Sequence, residues 1–415
     1  MTRRAGAARP ARPTRDPYGI GPVGGYVGPI AAAVALVVIA LVTLTLMNGQ
    51  VPFRSGSGDG NGNGNPGGPV RTAAPSGVII PEPEITFPGT ITYAKAGNIW
   101  IQTADNVRQL TDSGHDSMPS FSPDGTSIYF IRVAESTGRF PSGGNGRRAW
   151  YDLSTPSLMR VPADGSGKPE RLLLGRYRSG SSTWFYWIRQ PVLSPNNRTV
   201  ALISDGPNPT ASGIVLQFFD LQTEKLTKAA VAAGVQLGHQ DPAWRSDGKI
   251  LLYVKNGRTG AKGAPQIMRL TVATKKSAAV TGPGYLSPAW SPDSRYIAAV
   301  RTDSFGTDVV VLDAKTGAEI LRVTNDDHSF APVWSPAGDA IVFLHLEGSI
   351  VDLHMVKLDG TAGSWTVSPV TPLTNVSGLD AASRPSWFVP ASELPAATVA
   401  PSVGGSGSAS PSAAP

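Results

Sequence analysis

Histidine and aspartate stand together at three places in this sequence, and these residue types are suited to holding a metal ion or moving a proton. The three groups are His115-Asp116, His239-Gln-Asp241 and Asp326-Asp327-His328. Imidazole and carboxylate are common zinc ligands, but none of the usual spacings between zinc ligands is present. The alternative is that these side chains hydrogen-bond the turns that lead into strands, as aspartate often does. We favour the turns, so the sequence predicts neither a metal site nor a cofactor.

Aromatic and cationic residues form a second candidate set, suited to contact with a ligand. They lie in two segments, 134–156 and 175–190, which interrupt an otherwise regular repeat. The candidates are Arg147, Arg148, Trp150, Tyr151, Trp184, Tyr186, Trp187 and Arg189. Tryptophan, tyrosine and arginine are enriched among the residues that dominate binding energy at interfaces. Neighbouring residues of a strand point to opposite faces, so part of the run from Trp184 to Trp187 fits the core equally well.

Catalytic signatures do not accompany these residues. The sequence has no Gly-x-Ser-x-Gly elbow, no His-Glu-x-x-His motif, no Gly-x4-Gly-Lys phosphate loop and no cysteine. We therefore predict a binding protein without enzymatic activity. The alternative is an enzyme with a pocket of its own, built from His115, Asp116, His239 and His328.

A repeat that occurs six times predicts the elements that position these residues. Each copy places a proline two residues before a large side chain, and the prolines are Pro119, Pro191, Pro242, Pro288, Pro332 and Pro385. The prolines are 72, 51, 46, 44 and 53 residues apart, and five copies continue into a tight turn. Short β-rich runs follow each turn, and no segment after residue 47 has a sustained helical stripe. A period of about 45 residues built from short strands is typical of a β-propeller.

Counting the strands predicts how the propeller closes. The last copy of the repeat, Pro385-Ser-Trp387, is followed by a tail and not by strands. Three predicted strands precede the first copy and have no proline-containing inner strand before them. Those strands are predicted at 90–94, 98–102 and 107–111. If they join the last copy, no sheet edge is left exposed at the ends of the chain. The prediction is an all-β fold, a six-bladed propeller closed by its N-terminal strands.

The repeat resembles that of a known family. A Ser-Pro-Asp-Gly turn after an aromatic residue, then a β run, an Ile-Tyr/Val-Asp strand and Leu-Thr are similar to the TolB-like (PD40, WD40-like) propeller repeat. The resemblance covers about residues 85–390 and implies the fold, although propellers carry many unrelated functions. TolB proper has a folded N-terminal domain before its propeller, whereas this chain has a Gly/Asn-rich segment there.

The N-terminal part predicts a membrane anchor. Five arginines precede an uncharged apolar stretch, Pro29–Met47, which as a helix would span about 28 Å, close to the hydrocarbon core of a bilayer. Arginines before the span place the N-terminus in the cytoplasm. A cleaved signal peptide is the alternative, but its apolar region is usually shorter, about 7–15 residues.

These features divide the chain into five parts. We predict a cytoplasmic basic segment at 1–28, a transmembrane helix at 29–47, a flexible linker at 48–84, the propeller at 85–390 and a disordered Ala/Pro/Ser/Gly tail at 391–415. The expected localisation is the cell membrane, with a single span and an extracytoplasmic propeller. The short cytoplasmic segment would need a partner if the protein relayed a signal.

Charge and loop length indicate the partner and the face that binds it. The propeller has 29 basic and 25 acidic residues, too balanced to favour a nucleic-acid partner. In a four-stranded blade with strands A to D, the B–C and D–A connections open on one face. Both long segments, 134–156 and 175–190, fall there, and insertions on one face of a repeat array usually mark the binding face. We predict a membrane-tethered module that binds a protein, peptide or glycan of the cell envelope; the alternative is a propeller enzyme acting on envelope carbohydrate or peptide.

Overall fold

The computed structural model describes residues 86–141, 148–180, 182–207, 213–229, 238–256, 265–303, 305–361 and 363–394. The predicted anchor at 29–47, the linker, most of the tail and the candidate Arg147 lie outside these ranges. Within them, no helix has the length and apolar character needed to cross a bilayer.

Six antiparallel sheets form the blades of a propeller, each ordered from an inner strand A to an outer strand D. Blade 1 contains β27 (Ser386–Phe388), β1 (Thr90–Lys95), β2 (Asn98–Gln102) and β3 (Val107–Gln109). Blade 2 contains β4 (Asp116–Phe121), β5 (Ser127–Pro141), β6 (Arg148–Pro162) and β7 (Glu170–Leu174). Blade 3 contains β10 (Arg189–Leu193), β11 (Thr199–Ser204), β12 (Val215–Asp220) and β13 (Lys225–Lys228).

The second half of the ring repeats this order. Blade 4 contains β14 (His239–Trp244), β15 (Ile250–Lys255), β16 (Gln266–Thr271) and β17 (Lys276–Ala279). Blade 5 contains β18 (Tyr285–Trp290), β19 (Tyr296–Thr302), β20 (Thr307–Asp313) and β21 (Glu319–Arg322). Blade 6 contains β22 (Ser329–Trp334), β23 (Ala340–Glu347), β24 (Ile350–Thr361) and β25 (Ser364–Val367), and β26 (Thr371–Pro372) also pairs with β24. The all-β, six-bladed architecture predicted from the repeat is confirmed.

The two ends of the propeller meet in blade 1, as the strand count predicted. Strand β1 pairs with β27, so that Ile91 lies opposite Trp387. The Trp387 indole Nε1 donates a 2.9 Å hydrogen bond to the carbonyl oxygen of Pro88, and its ring meets Phe87 edge-on at 5.9 Å. The N-terminal strands therefore cover the last inner strand with both hydrogen bonds and aromatic packing.

The A–B turns have the backbone that the Pro-Asp-Gly sequence requires. The last residue of each turn has a positive φ, and these residues are Gly125, Asn197, Gly248, Ser294 and Gly338. Glycine and asparagine adopt this conformation readily, whereas Ser294 holds it at a strain cost. These turns define one face of the ring, which we call the plain face; the face with the B–C and D–A connections is the insertion face.

The core lies between neighbouring blades, because successive residues of each strand point to opposite sides of its sheet. In β23, Phe343 packs toward blade 5 and Leu344 packs toward blade 1. The large residues of the repeat take part in this packing. Phe121, Trp334 and Trp387 are buried, and Trp244 and Trp290 are partly buried.

The two long segments are hairpins, not the loops that the repeat pattern suggested. Strands β5 and β6 continue past the blade and stay paired from Ser127 opposite Pro162 to Pro141 opposite Arg148. We call residues 134–141 and 148–156 of this pair the arm. The second segment forms a small hairpin of β8 (Arg176–Ser179) and β9 (Ser182–Phe185). Aromatic and β-branched residues in these segments favour strands, and pairing satisfies backbone groups that a loop would leave to water.

Both described ends of the propeller lie at the plain face. Residues 86–89 lead into β1, a B strand that starts at this face, and β27 ends here. The Gly89 amide donates a 3.2 Å hydrogen bond to a Glu393 carboxylate oxygen, and Gly125 of an A–B turn lies directly against the Phe388 ring. The chain therefore enters and leaves the ring on the face opposite the two hairpins.

Candidate functional site

The three histidine–aspartate groups lie in alternate blades, at the start of the inner strands of blades 2, 4 and 6. Each group is bonded within its own neighbourhood. Only one set of three or more metal-ligating side chains among the described residues has ligand atoms within 4.8 Å of one another, and it contains none of the candidate histidines. The three groups are therefore best described one at a time.

His239 acts as a strand cap. Its buried Nδ1 accepts a 3.0 Å hydrogen bond from the Leu216 amide, and its ring packs against Tyr253 at 4.7 Å. In four other blades a threonine hydroxyl oxygen accepts the equivalent hydrogen bond from a backbone amide of strand C. These threonines are Thr111, Thr281, Thr324 and Thr374. His239 takes the place of the repeat threonine in blade 3, so its environment agrees with the turn interpretation.

Asp116 is held in an ion pair beneath the insertion face. Its buried carboxylate accepts hydrogen bonds of 2.6 and 2.8 Å from Nε and Nη2 of Arg132, the residue opposite it on β5. This bidentate bond raises the pKa of Arg132. The neighbouring His115 is exposed, and its carbonyl oxygen accepts from the Val133 amide. Because Asp116 and His115 face different surroundings, they do not form a shared site.

Asp241 belongs to a chain of hydrogen bonds around the central channel. In five blades the residue before the repeat proline has a positive φ, and the pairing register of strands A and B shifts there. These residues are Met118, Gln190, Asp241, Ser287 and Ala331. The bulge turns the amide of this residue away from its own sheet. The Gln190 amide then bonds to Met118 Sδ, the Asp241 amide to Gln190 Oε1 and the Ser287 amide to Asp241 Oδ2. Each link joins one blade to the next, which is a structural role.

Arg384 reaches across the channel at the level of this chain. In blade 1, Arg384 stands directly before the repeat proline, at the position that has a positive φ in the other five blades. Its guanidinium donates hydrogen bonds to the carbonyl oxygens of Pro288 at 2.6 Å and Pro242 at 3.1 Å. Burial lowers the pKa of Arg384, and the nearby Asp241 carboxylate opposes that shift. The side chain keeps some accessible surface within the channel. Arg384 therefore has a structural role, in which it links blade 1 to blades 4 and 5.

The third group lies at the seam of blades 5 and 6. Asp308 in β20 accepts hydrogen bonds from the Asp326 amide at 2.9 Å, the Asp327 amide at 3.3 Å and the Thr324 hydroxyl at 3.1 Å. Asp303, Asp308 and Asp327 are the carboxylate set whose oxygens approach within 4.8 Å. Since Asp308 already caps the turn, this cluster is accounted for by the loop that leads into β22.

Sequence reasoning missed a histidine cluster at the same seam. His345 and His354 stack with ring centroids 4.7 Å apart, and His328 lies 6.3 Å from His345. His345 Nδ1 is 3.4 Å from an Asp326 carboxylate oxygen. Burial, and then the charge on His345, lower the pKa of His354. The two stacked residues occupy diagonal positions of the β23–β24 pair, a relationship that only the strand register reveals.

The exposed aromatic residues identify the surface best suited to binding. All large aromatic side chains that are exposed in the described residues lie on the insertion face, and they are Trp150, Tyr151, Trp184, Trp187 and Phe305. Trp150 is 69% exposed and Trp187 54%, whereas Tyr186 is only 6% exposed and donates a 2.7 Å hydrogen bond to the Leu174 carbonyl. The run from Trp184 to Trp187 is thus divided, with Tyr186 in the core and both tryptophans at the surface. Phe305, in the B–C connection of blade 5, was not among the sequence candidates.

Arginines surround these aromatic residues. The Arg139 guanidinium lies 5.8 Å from the centre of the Trp150 ring, and Arg148 Nη2 donates a 2.9 Å hydrogen bond to the Arg139 carbonyl. Arg189 is exposed at the start of β10. Cation–π geometry holds the Arg139 and Trp150 side chains together without removing either from solvent.

Two cavities lie on the other side of the ring, at the plain face. One of about 680 Å³ opens on the plain face between blades 3 and 4, where Phe218 stacks on Trp244, and one of about 360 Å³ lies between blades 2 and 3. Both are lined by A–B turns, so they recur at equivalent positions of the repeat. We regard them as gaps left where neighbouring blades diverge. The insertion face is the better candidate because its aromatic residues depart from the repeat.

Comparison with known proteins supports the fold. The sequence matches no protein-family model and no curated protein. The structure is similar to TolB from Acinetobacter baumannii, with a TM-score of 0.51 and 18% identity over 72% of this chain and 66% of that one. It is also similar to a putative TolB from Agrobacterium tumefaciens, with a TM-score of 0.52 and 14% identity over 74% of this chain and 95% of that one. This chain spans slightly less than two thirds of the first of these proteins.

Proposed function

We propose that this chain is a membrane-tethered, extracytoplasmic binding module of the cell envelope, whose insertion face contacts a protein, peptide or glycan. The observation that carries the proposal is that every exposed large aromatic residue of the described chain lies on that face. Tryptophan and tyrosine are enriched at interfaces, and exposed apolar side chains that gather on one surface are typical of an interaction site.

The remainder of the proposal rests on the sequence and on the resemblance to TolB-like propellers. The apolar stretch Pro29–Met47 is long enough to cross a bilayer, and the arginines before it favour a cytoplasmic N-terminus. A TolB-like fold is compatible with a role in the envelope. We propose binding without catalysis, since His239 and Asp116, the buried members of the alternative catalytic set, are engaged in a strand cap and an ion pair.

The proposal is tested by removing aromatic surface from the insertion face in the full-length protein. We expect Trp150→Ala combined with Trp187→Ala to abolish recovery of envelope proteins or glycans that are crosslinked to the chain in intact cells. The matched control combines Val107→Ala with Ile320→Ala, which are exposed apolar residues of the outer strands β3 and β21. Equal recovery from both variants would overturn the assignment of the insertion face.

Membrane tethering is tested separately. We expect fractionation to place the full chain in the membrane and a chain that begins at residue 48 in the soluble fraction. A tag at the C-terminus should be accessible from outside the cytoplasm, and a tag at the N-terminus should not. An accessible N-terminal tag would contradict the proposed topology.

A further inference from the structure

Among the described residues, exposed arginines without an ion pair are concentrated on the two hairpins of the insertion face and at Arg189, which follows the second hairpin at the start of β10. Five are exposed there, Arg139, Arg148, Arg176, Arg178 and Arg189, and in the part of the chain that the structure describes none has a carboxylate within ion-pairing distance. Elsewhere the arginines are often neutralised, and six form ion pairs: Arg132, Arg160, Arg198, Arg245, Arg301 and Arg322. The full segments 134–156 and 175–190 contain six arginines and only two acids, Glu135 and Asp152. Within the described ranges this positive charge has no internal carboxylate partner, so it is available to an anionic ligand.

The same hairpins present strand edges. Inner strand β4 pairs with β5 only as far as Arg132, and outer strand β7 pairs with β6 only from Ser157 onward. Beyond these points the arm is a two-stranded ribbon, and β8 pairs only with β9 among the described strands. An edge with unpaired amide and carbonyl groups can accept an extended peptide as an additional strand. Such edges select for a polypeptide, because a glycan lacks the regular amide spacing that pairs with them.

The path of the chain bears on whether the anchoring membrane is the partner. Trp and Arg side chains also suit the surface of an anionic bilayer. However, the segment that connects to the predicted anchor enters the ring at the plain face, beside Phe388 and Glu393. The insertion face and the point where the proposed tether enters therefore lie on opposite sides of the ring.

We infer that the insertion face binds an acidic polypeptide segment, which adds to a strand edge of the arm or of the small hairpin while its carboxylates pair with the hairpin arginines. This inference rests on the proposed function and specifies the chemistry of the partner. The aromatic side chains Trp150, Trp184 and Trp187 pack against the aliphatic part of the bound segment. Carboxylates bond to arginine in a bidentate manner, which fixes the position of the segment along the edge.

The test measures binding of labelled poly-L-glutamate to the full-length protein by fluorescence anisotropy. We expect Arg139→Gln with Arg148→Gln, and separately Arg176→Gln with Arg178→Gln, to weaken binding about tenfold. The control, Arg171→Gln with Arg269→Gln, removes two exposed arginines of β7 and β16 that have no ion pair with any described residue. Added salt should weaken binding to the unmodified protein and have less effect on the two hairpin variants.

Three further probes decide between kinds of partner. Poly-D-glutamate has the same charge but a mirrored backbone, and we expect it to bind more weakly because it does not fit an edge made of L-residues. Equal binding of the two polymers, or equal binding of polygalacturonate, would overturn the strand-addition mode. Tighter binding to phosphatidylglycerol vesicles than to poly-L-glutamate would overturn the choice of a polypeptide.

Failure of this inference is distinguishable from failure of the proposed function. If poly-L-glutamate does not bind, or if the control loses as much affinity as the hairpin variants, the acidic-segment inference is wrong. The proposed function would still stand in that case if envelope partners are lost with Trp150→Ala and Trp187→Ala. It falls only when those tryptophan changes leave partner recovery unaltered.

Discussion

The guanidinium group of Arg384 donates a 3.1 Å hydrogen bond to the carbonyl oxygen of Pro242, across the central channel. Blade 1 carries Arg384 and blade 4 carries Pro242, so the bond joins two sheets that are not neighbours in the ring. The second bond, 2.6 Å long, reaches Pro288 in blade 5. One side chain thus connects blade 1 to the inner strands of blades 4 and 5, which the Ser287–Asp241 hydrogen bonds already join to each other.

We expect Arg384→Met to lower the free energy of unfolding by about 2 kcal/mol, because it removes two hydrogen bonds to a charged donor and leaves both carbonyl groups without that donor. Urea denaturation followed by tryptophan fluorescence measures the loss. Arg171→Met is the control, since Arg171 is exposed on β7 and has no ion pair within the described ranges. Equal unfolding midpoints for the two variants would show that the bridge contributes nothing.

The links between neighbouring inner strands make a second prediction. The Asp241 carboxylate accepts hydrogen bonds from Gln190 Nε2 at 2.5 Å and from both the amide and the hydroxyl of Ser287 at 3.0 Å. Asp241→Ala should lower the free energy of unfolding by about 2 kcal/mol, since the Ser287 amide loses its acceptor. Asp105→Ala, at an exposed site between β2 and β3, serves as the control.

Asp241 and Arg384 should also be energetically coupled. Burial lowers the pKa of Arg384, whereas the charge of the Asp241 carboxylate raises it. A double-mutant cycle of Asp241→Ala and Arg384→Met measures this coupling as the departure from additive losses. Strict additivity would mean that the two residues act independently in the channel.

Two tryptophans near opposite faces should respond differently to the same substitution. Trp387→Ala should cost about 3 kcal/mol of stability, because Trp387 is buried in the closure and bonded to the Pro88 carbonyl. Trp187→Ala should change stability by less than about 0.5 kcal/mol, since the Trp187 ring is exposed. Thermal denaturation of both variants tests the contrast. A large loss for Trp187→Ala would assign that residue to packing instead of recognition.

The seam of blades 5 and 6 should make stability depend on pH. The pKa of His354 is lowered by burial and by His345, so the unfolded chain binds this proton more tightly than the folded chain does. Stability should therefore fall as the pH drops below the ordinary imidazole pKa of about 6.5, and level off once the pH passes the lowered pKa. The carboxylates of Asp326, Asp352 and Glu347 face this group and moderate the effect.

His354→Gln tests this pH dependence, because it removes the titrating ring. Urea midpoints measured between about pH 7.5 and 5.5 should change less in the variant than in the unmodified protein. His115→Gln is the matched control, since the His115 ring is exposed in blade 2. A pH dependence that is unchanged by His354→Gln and reduced by His115→Gln would contradict the assignment.

The sequence was sufficient to predict the scaffold because the repeat reports local geometry. Each repeat proline marks an inner strand, and the turn after that strand ends in a residue with a positive φ. Even Ser294, which is neither glycine nor asparagine, has this conformation. The closure by β1 was predicted for a different reason: a sheet edge near Trp387 would otherwise have remained exposed. Both arguments rest on interactions between residues that are close in sequence or on a count of strands.

The site was predicted less completely because it depends on register and on contacts between blades. The segments 134–156 and 175–190 were correctly picked out as departures from the repeat, but their hairpin structure was not predicted. The pairing of His345 with His354 follows from the β23–β24 register, which the sequence does not specify. The reach of Arg384 across the channel depends on the diameter of the ring, and no local pattern of residues encodes a distance of that kind.

The closure of the ring also sets an order of events during synthesis. Strand β1 begins at Thr90, yet its partner β27 begins only at Ser386, so blade 1 stays incomplete until almost the whole chain has been made. The pairing joins residues that are far apart in sequence, and such contacts form late and slowly. We therefore expect closure of the ring to be the last step of folding, after the strands of the other five blades have been synthesised.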